Sequence, residues 1–63
     1  MSNIGERIST RRKELKLTQR ALGKLIGVSA TSLTYWERQE VEPKNKHLAA
    51  LARALDCSPD YLL

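Results

Sequence analysis

Phenylalanine is absent from this 63-residue chain, and tryptophan, cysteine and histidine occur once each. Three glycines and two prolines supply few turn signals. A β-sandwich needs many turns and β-branched strands, so this scarcity, with a hydrophobic content of 41% rich in Leu and Ala, favours a small bundle of helices. A single cysteine excludes an intrachain disulfide and suits a reducing cytosol. Cys57 follows an apolar helix end and reads as a small buried hydrophobe rather than a nucleophile or metal ligand. His47 has no second histidine or cysteine to complete a metal site, so no metal or other cofactor is expected. Ser/His/Asp order, paired carboxylates and a phosphate-cradling glycine loop are all missing, which argues against an enzyme. No apolar run approaches membrane-spanning length, and no signal peptide is expected. A soluble, cytoplasmic protein with no membrane partner is expected.

What the chain does have is charge, unevenly spread. Residues 1–24 hold seven Lys or Arg against two acids, a local charge of +5, whereas residues 25–63 hold four against five. A localised basic region is the footprint of a polyanion partner, although mild basicity also serves solubility alone. Repeats, low-complexity tracts and linkers are lacking, so residues 1–63 read as one domain. A chain this short buries about 60% of its unfolded surface and has little mass for an active-site cavity.

Helical periodicity predicts a first helix over 4–15, with Asn3 as N-cap, Glu6 completing a capping box, and Ile4, Ile8 and Leu15 on one face. A second helix over 19–26 follows Thr18 and carries Leu22, Leu25 and Ile26, and Gly27 ends it in the left-handed conformation. The third, over 30–38, follows Ser29, turns Leu33 and Trp36 inward, and leaves Ala30, Thr31, Thr34, Tyr35 and Arg38 outward. A fourth covers 45–55 with Leu48, Leu51, Ala52 and Leu55, and Ser58-Pro59 opens a last short turn. The fold class is therefore all-α, a compact bundle of four helices plus a short fifth.

Two short helices joined by Ile26-Gly27-Val28-Ser29, with the small Gly23 opposite Leu33 to permit close crossing, make a helix-turn-helix. A second helix of this size, mounted on a basic scaffold, fits the major groove of duplex DNA. Trp36 admits a reading as a stacking platform for an unpaired base, but its register with Leu33 favours the core.

Nearly the whole chain resembles the lambda-repressor-like (XRE/Cro-like) helix-turn-helix family. The matching blocks are Thr18-Gln19, Gly27-Val28-Ser29, Trp36-Glu37-Arg38, Glu42-Pro43, Leu51 to Leu55, and Ser58-Pro59-Asp60-Tyr61-Leu62-Leu63. The last two blocks most resemble lambdoid phage repressors. This resemblance implies sequence-specific binding of double-stranded DNA by a transcriptional regulator, a phage or prophage repressor occupying a palindromic operator as a dimer. By the same resemblance Ser29, Ala30, Thr31, Thr34 and Tyr35 face base edges. Thr18, Gln19, Arg20, Arg38, Lys44, Asn45 and Lys46 lie at phosphate-contacting positions, and Arg11 adds to that surface. Arg12 and Glu37 match positions that pair across the first and third helices, the alternative being two separately solvated charges. Pro59, Leu62 and Leu63 fall where such domains meet a two-fold mate; with no further domain after Leu63, a weak homodimer strengthened on DNA is expected. The base-facing set lacks Asn, Gln and Arg, so methyl packing on thymine and indirect readout are expected to outweigh bidentate pairs. Two other readings remain open on these residues: a helix-turn-helix used only for protein interaction, and a nonspecific nucleic-acid binder.

Overall fold

Residues 3–63 are described by a computed structural model of the chain. They form α1 (Ile4–Glu14), α2 (Gln19–Ile26), α3 (Ala30–Glu37), α4 (Asn45–Ala54) and α5 (Pro59–Leu62), with no strand among the described residues. None of these helices is long and apolar enough to cross a membrane. Side chains dictate where the helices start. Asn3, Thr18, Ser29 and Ser58 each accept the backbone N–H three residues on, from Glu6, Ala21, Ser32 and Tyr61 respectively. Each bond satisfies an amide that the first helical turn leaves without an internal partner. Only α4 starts without a side-chain cap, at Lys44, directly after the buried Pro43.

The helix ends are set differently. α1, α3 and α4 each stop one residue before the sequence pattern suggests, with Leu15, Arg38 and Leu55 as C-caps. The next residues, Lys16 (φ 59°), Gln39 (φ 67°) and Asp56 (φ 53°), take up the left-handed conformation that Gly27 (φ 79°) adopts after α2. All four ends close with the same backbone bond across five residues: Leu17 N–H to Arg12 carbonyl, Val28 to Gly23, Glu40 to Tyr35 and Cys57 to Ala52, at 2.9–3.0 Å. These are Schellman closures, and three of the four are made without glycine.

Ile8, Leu22, Leu33, Trp36, Leu51, Ala52, Leu55 and Leu62 form the core, with Ile4, Leu17, Ile26, Val28, Ala54 and Cys57 packed against it. Four expectations need correcting. Leu25, placed by periodicity on the apolar stripe of α2, is 62% exposed. The buried face of α2 is turned toward Gly23, because a Cβ there would lie 2.5 Å from the Val28 carbonyl oxygen. At about 100° per residue, that rotation carries Leu25 off the core. Gly23 thus makes room for the backbone of the turn rather than for a crossing at Leu33. Leu15, as a C-cap, is likewise outside, and the reversal at Lys16 delivers Leu17 to the core in its place. Leu62, expected at a two-fold contact, is fully buried, since the single turn of α5 packs on α4 and α1 and needs that side chain for closure. Pro59 and Leu63 remain outside, Leu63 at 71% exposure.

A Cβ-bearing residue in the left-handed region costs on the order of 1 kcal/mol, partly offset by glycine's greater freedom when unfolded. Lys16→Gly is therefore expected to stabilise the fold by about 0.5 kcal/mol, a Tm rise of roughly 2–4 °C for a domain of this size. Lys16→Ala, which keeps the Cβ, should bring no such gain in the same thermal melt.

Candidate nucleic-acid interface

α2 and α3 meet across Gly27-Val28-Ser29. The Ser29 hydroxyl accepts the Ser32 amide at 3.2 Å and lies 3.3 Å from the Ser32 hydroxyl. Leu33 and Trp36 anchor one side of α3 in the core, Trp36 at only 5% exposure, which leaves no face of its ring free for stacking a base. His47 at the start of α4 packs on that ring, centroids 5.1 Å apart. The opposite side of α3 presents Ser29, Thr31 and Tyr35 to solvent, with Ala30 and Thr34 half-buried at its margin. This surface carries hydroxyls, a phenol and methyl groups, and no charge.

Beneath it lies a charged pair. Arg12 on α1 donates from Nε to Glu37 Oε2 at 2.7 Å and from Nη2 to Glu37 Oε1 at 3.0 Å, and its Nη1 donates to the Leu17 carbonyl at 2.8 Å. The two side chains are 11% and 8% exposed. Hydrogen bonding to Glu37 raises the Arg12 pKa above its ordinary value, against the opposing effect of burial. Glu37 Oε1 also accepts Gln19 Nε2 at 3.2 Å, and Gln19 Oε1 accepts the Thr34 hydroxyl at 2.9 Å. One carboxylate therefore ties α1, α2 and α3 together. α1 sits close enough to join them because Gly5 has no side chain: a Cβ there would meet the Trp36 carbonyl oxygen at 2.6 Å.

The cationic and polar positions around this surface divide into two groups. Thr18, Arg20, Arg38, Lys44, Asn45 and Lys46 are exposed. Arg38 touches Glu40 at 3.6 Å through an exposed ion pair of little strength. Gln19 is half-buried, and its side-chain carbonyl and one amide hydrogen are engaged within the protein. Arg11 departs from expectation. Its Nε donates to the Leu55 carbonyl at 2.8 Å, its Nη2 to the Asp56 carbonyl at 3.3 Å, and its Nη1 to Glu14 at 3.2 Å. The carbonyls ending α4 lack helical partners and sit at the negative end of its dipole, so they capture this guanidinium. Arg11 closes α4 and is not a free cation of the interface. Cys57 beside it is half-buried, and burial pushes its thiol pKa up, which suits packing rather than reactivity.

Sequence reasoning had the Arg12–Glu37 pair but not the extension through Gln19 to Thr34. The only available signal was the three-residue spacing of Thr34 and Glu37, which puts both on the face of α3 that meets the start of α2.

Two short helices, a capped turn between them and a second helix held by a buried ion pair define a helix-turn-helix domain. The helix-turn-helix family profile matches residues 8–62, and the chain belongs to that family. Over 60 residues, 95% of this chain, it is 58% identical to repressor protein C2 of Salmonella phage P22, of which the match covers 28%. It is 52% identical over the same length to the HTH-type transcriptional regulator DicA of Escherichia coli K12, covering 44% of that protein. The chain thus spans less than half the length of these relatives. The crystal structure of the P22 c2 repressor in complex with synthetic operator 9T superposes with a TM-score of 0.96 at 56% identity, covering 100% of this chain and 96% of that one.

Removing one member of a buried ion pair strands the other. Glu37→Ala is expected to cost about 3 kcal/mol, a large share of the stability of so small a domain, as read from the midpoint of urea unfolding.

Proposed function

We propose that this chain is the sequence-specific DNA-binding module of a transcriptional repressor of the phage or prophage type, bound as a dimer to a palindromic operator. The observation that carries this reading is the near-complete superposition on an operator-bound repressor, in which α2, the turn and α3 find counterparts along their whole length. Physical fit supports it. An α-helix with its side chains is about 10–12 Å across, and the major groove is about 12 Å wide. In this reading Ser29, Ala30, Thr31, Thr34 and Tyr35 meet base edges. Thr18, Gln19, Arg20, Arg38, Lys44, Asn45 and Lys46 meet phosphates, with backbone amides of the first turns of α2 and α4 able to add to them. Pro59 and Leu63 lie where a two-fold mate approaches, setting half-sites about 34 Å apart. Repression follows from occupancy, with no catalytic step and no cofactor, in the bacterial cytoplasm or nucleoid.

Selection from random duplexes at near-physiological salt tests the reading, and a palindrome of two half-sites one helical turn apart is the expected product. Tyr35→Ala and Thr31→Ala should each narrow the ratio of selected to random affinity by roughly tenfold. Lys46→Ala should weaken both duplexes alike and lower the salt slope by about 0.9. Equal affinity for selected and random duplexes would leave a nonspecific binder. Unchanged DNA affinity in both α3 variants would leave a protein-interaction module.

A further inference from the structure

Hydrogen bonds can run in only one direction through the chain of groups linking Arg12 to the surface of α3. Arg12 only donates, and the Glu37 carboxylate that it grips only accepts. Gln19 must therefore turn its amide nitrogen, not its oxygen, toward Glu37 Oε1. That leaves Gln19 Oε1 facing Thr34, and an amide oxygen cannot donate. The second group within reach of Thr34 Oγ1 is the Ala30 carbonyl oxygen at 3.1 Å, which cannot donate either. Whichever of the two it chooses, the single hydroxyl hydrogen of Thr34 is used inside the protein. Only its lone pairs can serve a partner outside.

We propose that the Arg12–Glu37–Gln19 relay makes Thr34 an obligate hydrogen-bond acceptor in the major groove, so that it selects which strand of a base pair carries the amino group, that of adenine or cytosine. This rests on the reading of α3 as the DNA-reading helix and goes beyond it. A threonine hydroxyl is ordinarily ambiguous, able to serve either kind of edge. Fixed in this direction it accepts from adenine N6 or cytosine N4. Guanine N7 and O6 and thymine O4, all acceptors, meet lone pair against lone pair. Gln19 and Glu37 are thus positioning residues for specificity: they touch no base in this scheme, yet set which base Thr34 tolerates. The buried ion pair at the bottom of the relay keeps the direction from reversing.

The test compares duplexes selected by the wild-type chain and by Thr34→Val, which keeps shape and removes the hydroxyl. The position where Val erases a preference is the one Thr34 reads. The preference expected there is for the orientation of the pair, with the amino base, adenine or cytosine, held to one strand, and Thr34→Ser should retain it. Replacing that base by its analogue lacking the amino group, purine or 2-pyrimidinone, should weaken wild-type binding roughly three- to tenfold and leave Thr34→Val unchanged. Wild-type binding that is unchanged by removal of that amino group overturns the proposal, as does a Thr34→Val selection identical to wild type. NMR of the free chain supplies a DNA-independent check. The Thr34 hydroxyl proton should exchange slowly with water and lie close to Gln19 or Ala30, and rapid exchange overturns the relay. A pool that yields no enriched duplex overturns the DNA reading, and with it the base preference, while the NMR result still decides the direction of the hydrogen bonds.

Discussion

The Arg12–Glu37 pair sets the geometry on which the rest of the structure depends. At 11% and 8% exposure, both charges have surrendered most of their hydration, a cost that mutual attraction at 2.7 Å only roughly offsets. Its value lies in direction. A planar guanidinium gripping a carboxylate at two points fixes distance and orientation, which apolar packing between α1 and α3 does not. The remaining nitrogen of Arg12 holds the Leu17 carbonyl, just where the chain leaves α1 for α2. Gln19 then joins α2 to the same carboxylate. Three helices are registered to one another by a single buried anion.

That registration matters because α3 has little intrinsic stability. Eight residues, including two threonines, a serine and a tyrosine, make a poor isolated helix. Its position is held by Leu33 and Trp36 from below, by the Ser29 cap at one end and by Glu37 at the other. Arg11 performs a comparable service for α4, whose last carbonyls it ties to α1. Two arginines adjacent in sequence are thus spent on internal geometry, although their surroundings are the most basic part of the chain.

Legibility in the sequence followed the physics of each feature. Helix starts were readable because Asn3, Thr18, Ser29 and Ser58 act locally, each bonding an amide three residues away. Ends were less so: Lys16 and Gln39 adopt a left-handed conformation for which nothing in their chemistry is a signal, Asp56 offers only the weak preference of a short polar side chain, and Gly27 alone announced itself. Periodicity identified most of the core but put Leu25 inside, because the rotation of α2 is decided by how closely the Val28 backbone approaches Gly23, a tertiary fact. Leu62 erred in the opposite sense, assigned to a partner when its own fold needed it. Among the candidate interface residues the outward set on α3 could be read from spacing and resemblance. Arg11 could not be told from its neighbours, since a free cation and a helix-capping cation have the same composition and differ only in which carbonyls lie within reach.

Separating charge from readout has a further consequence for how such a surface works. The outward residues of α3 are uncharged, while four of the exposed cations, Arg20, Arg38, Lys44 and Lys46, stand on α2, at the end of α3 and at the start of α4. Attraction to a polyanion acts at a distance and tolerates imprecise placement, so flexible, solvated lysines and arginines at the rim suffice for it. Hydroxyls and methyls act only in contact, and a hydroxyl discriminates only if its hydrogen is fixed. Precision is therefore needed at α3 and nowhere else, and that is where the buried pair, the amide relay and the two inward anchors converge. If α3 reads DNA as proposed, new specificity on this scaffold can arise by exchange of the side chains of Ala30, Thr31 and Tyr35, which make none of the buried bonds. Thr34 is the exception, because changing it alters the relay as well as the surface.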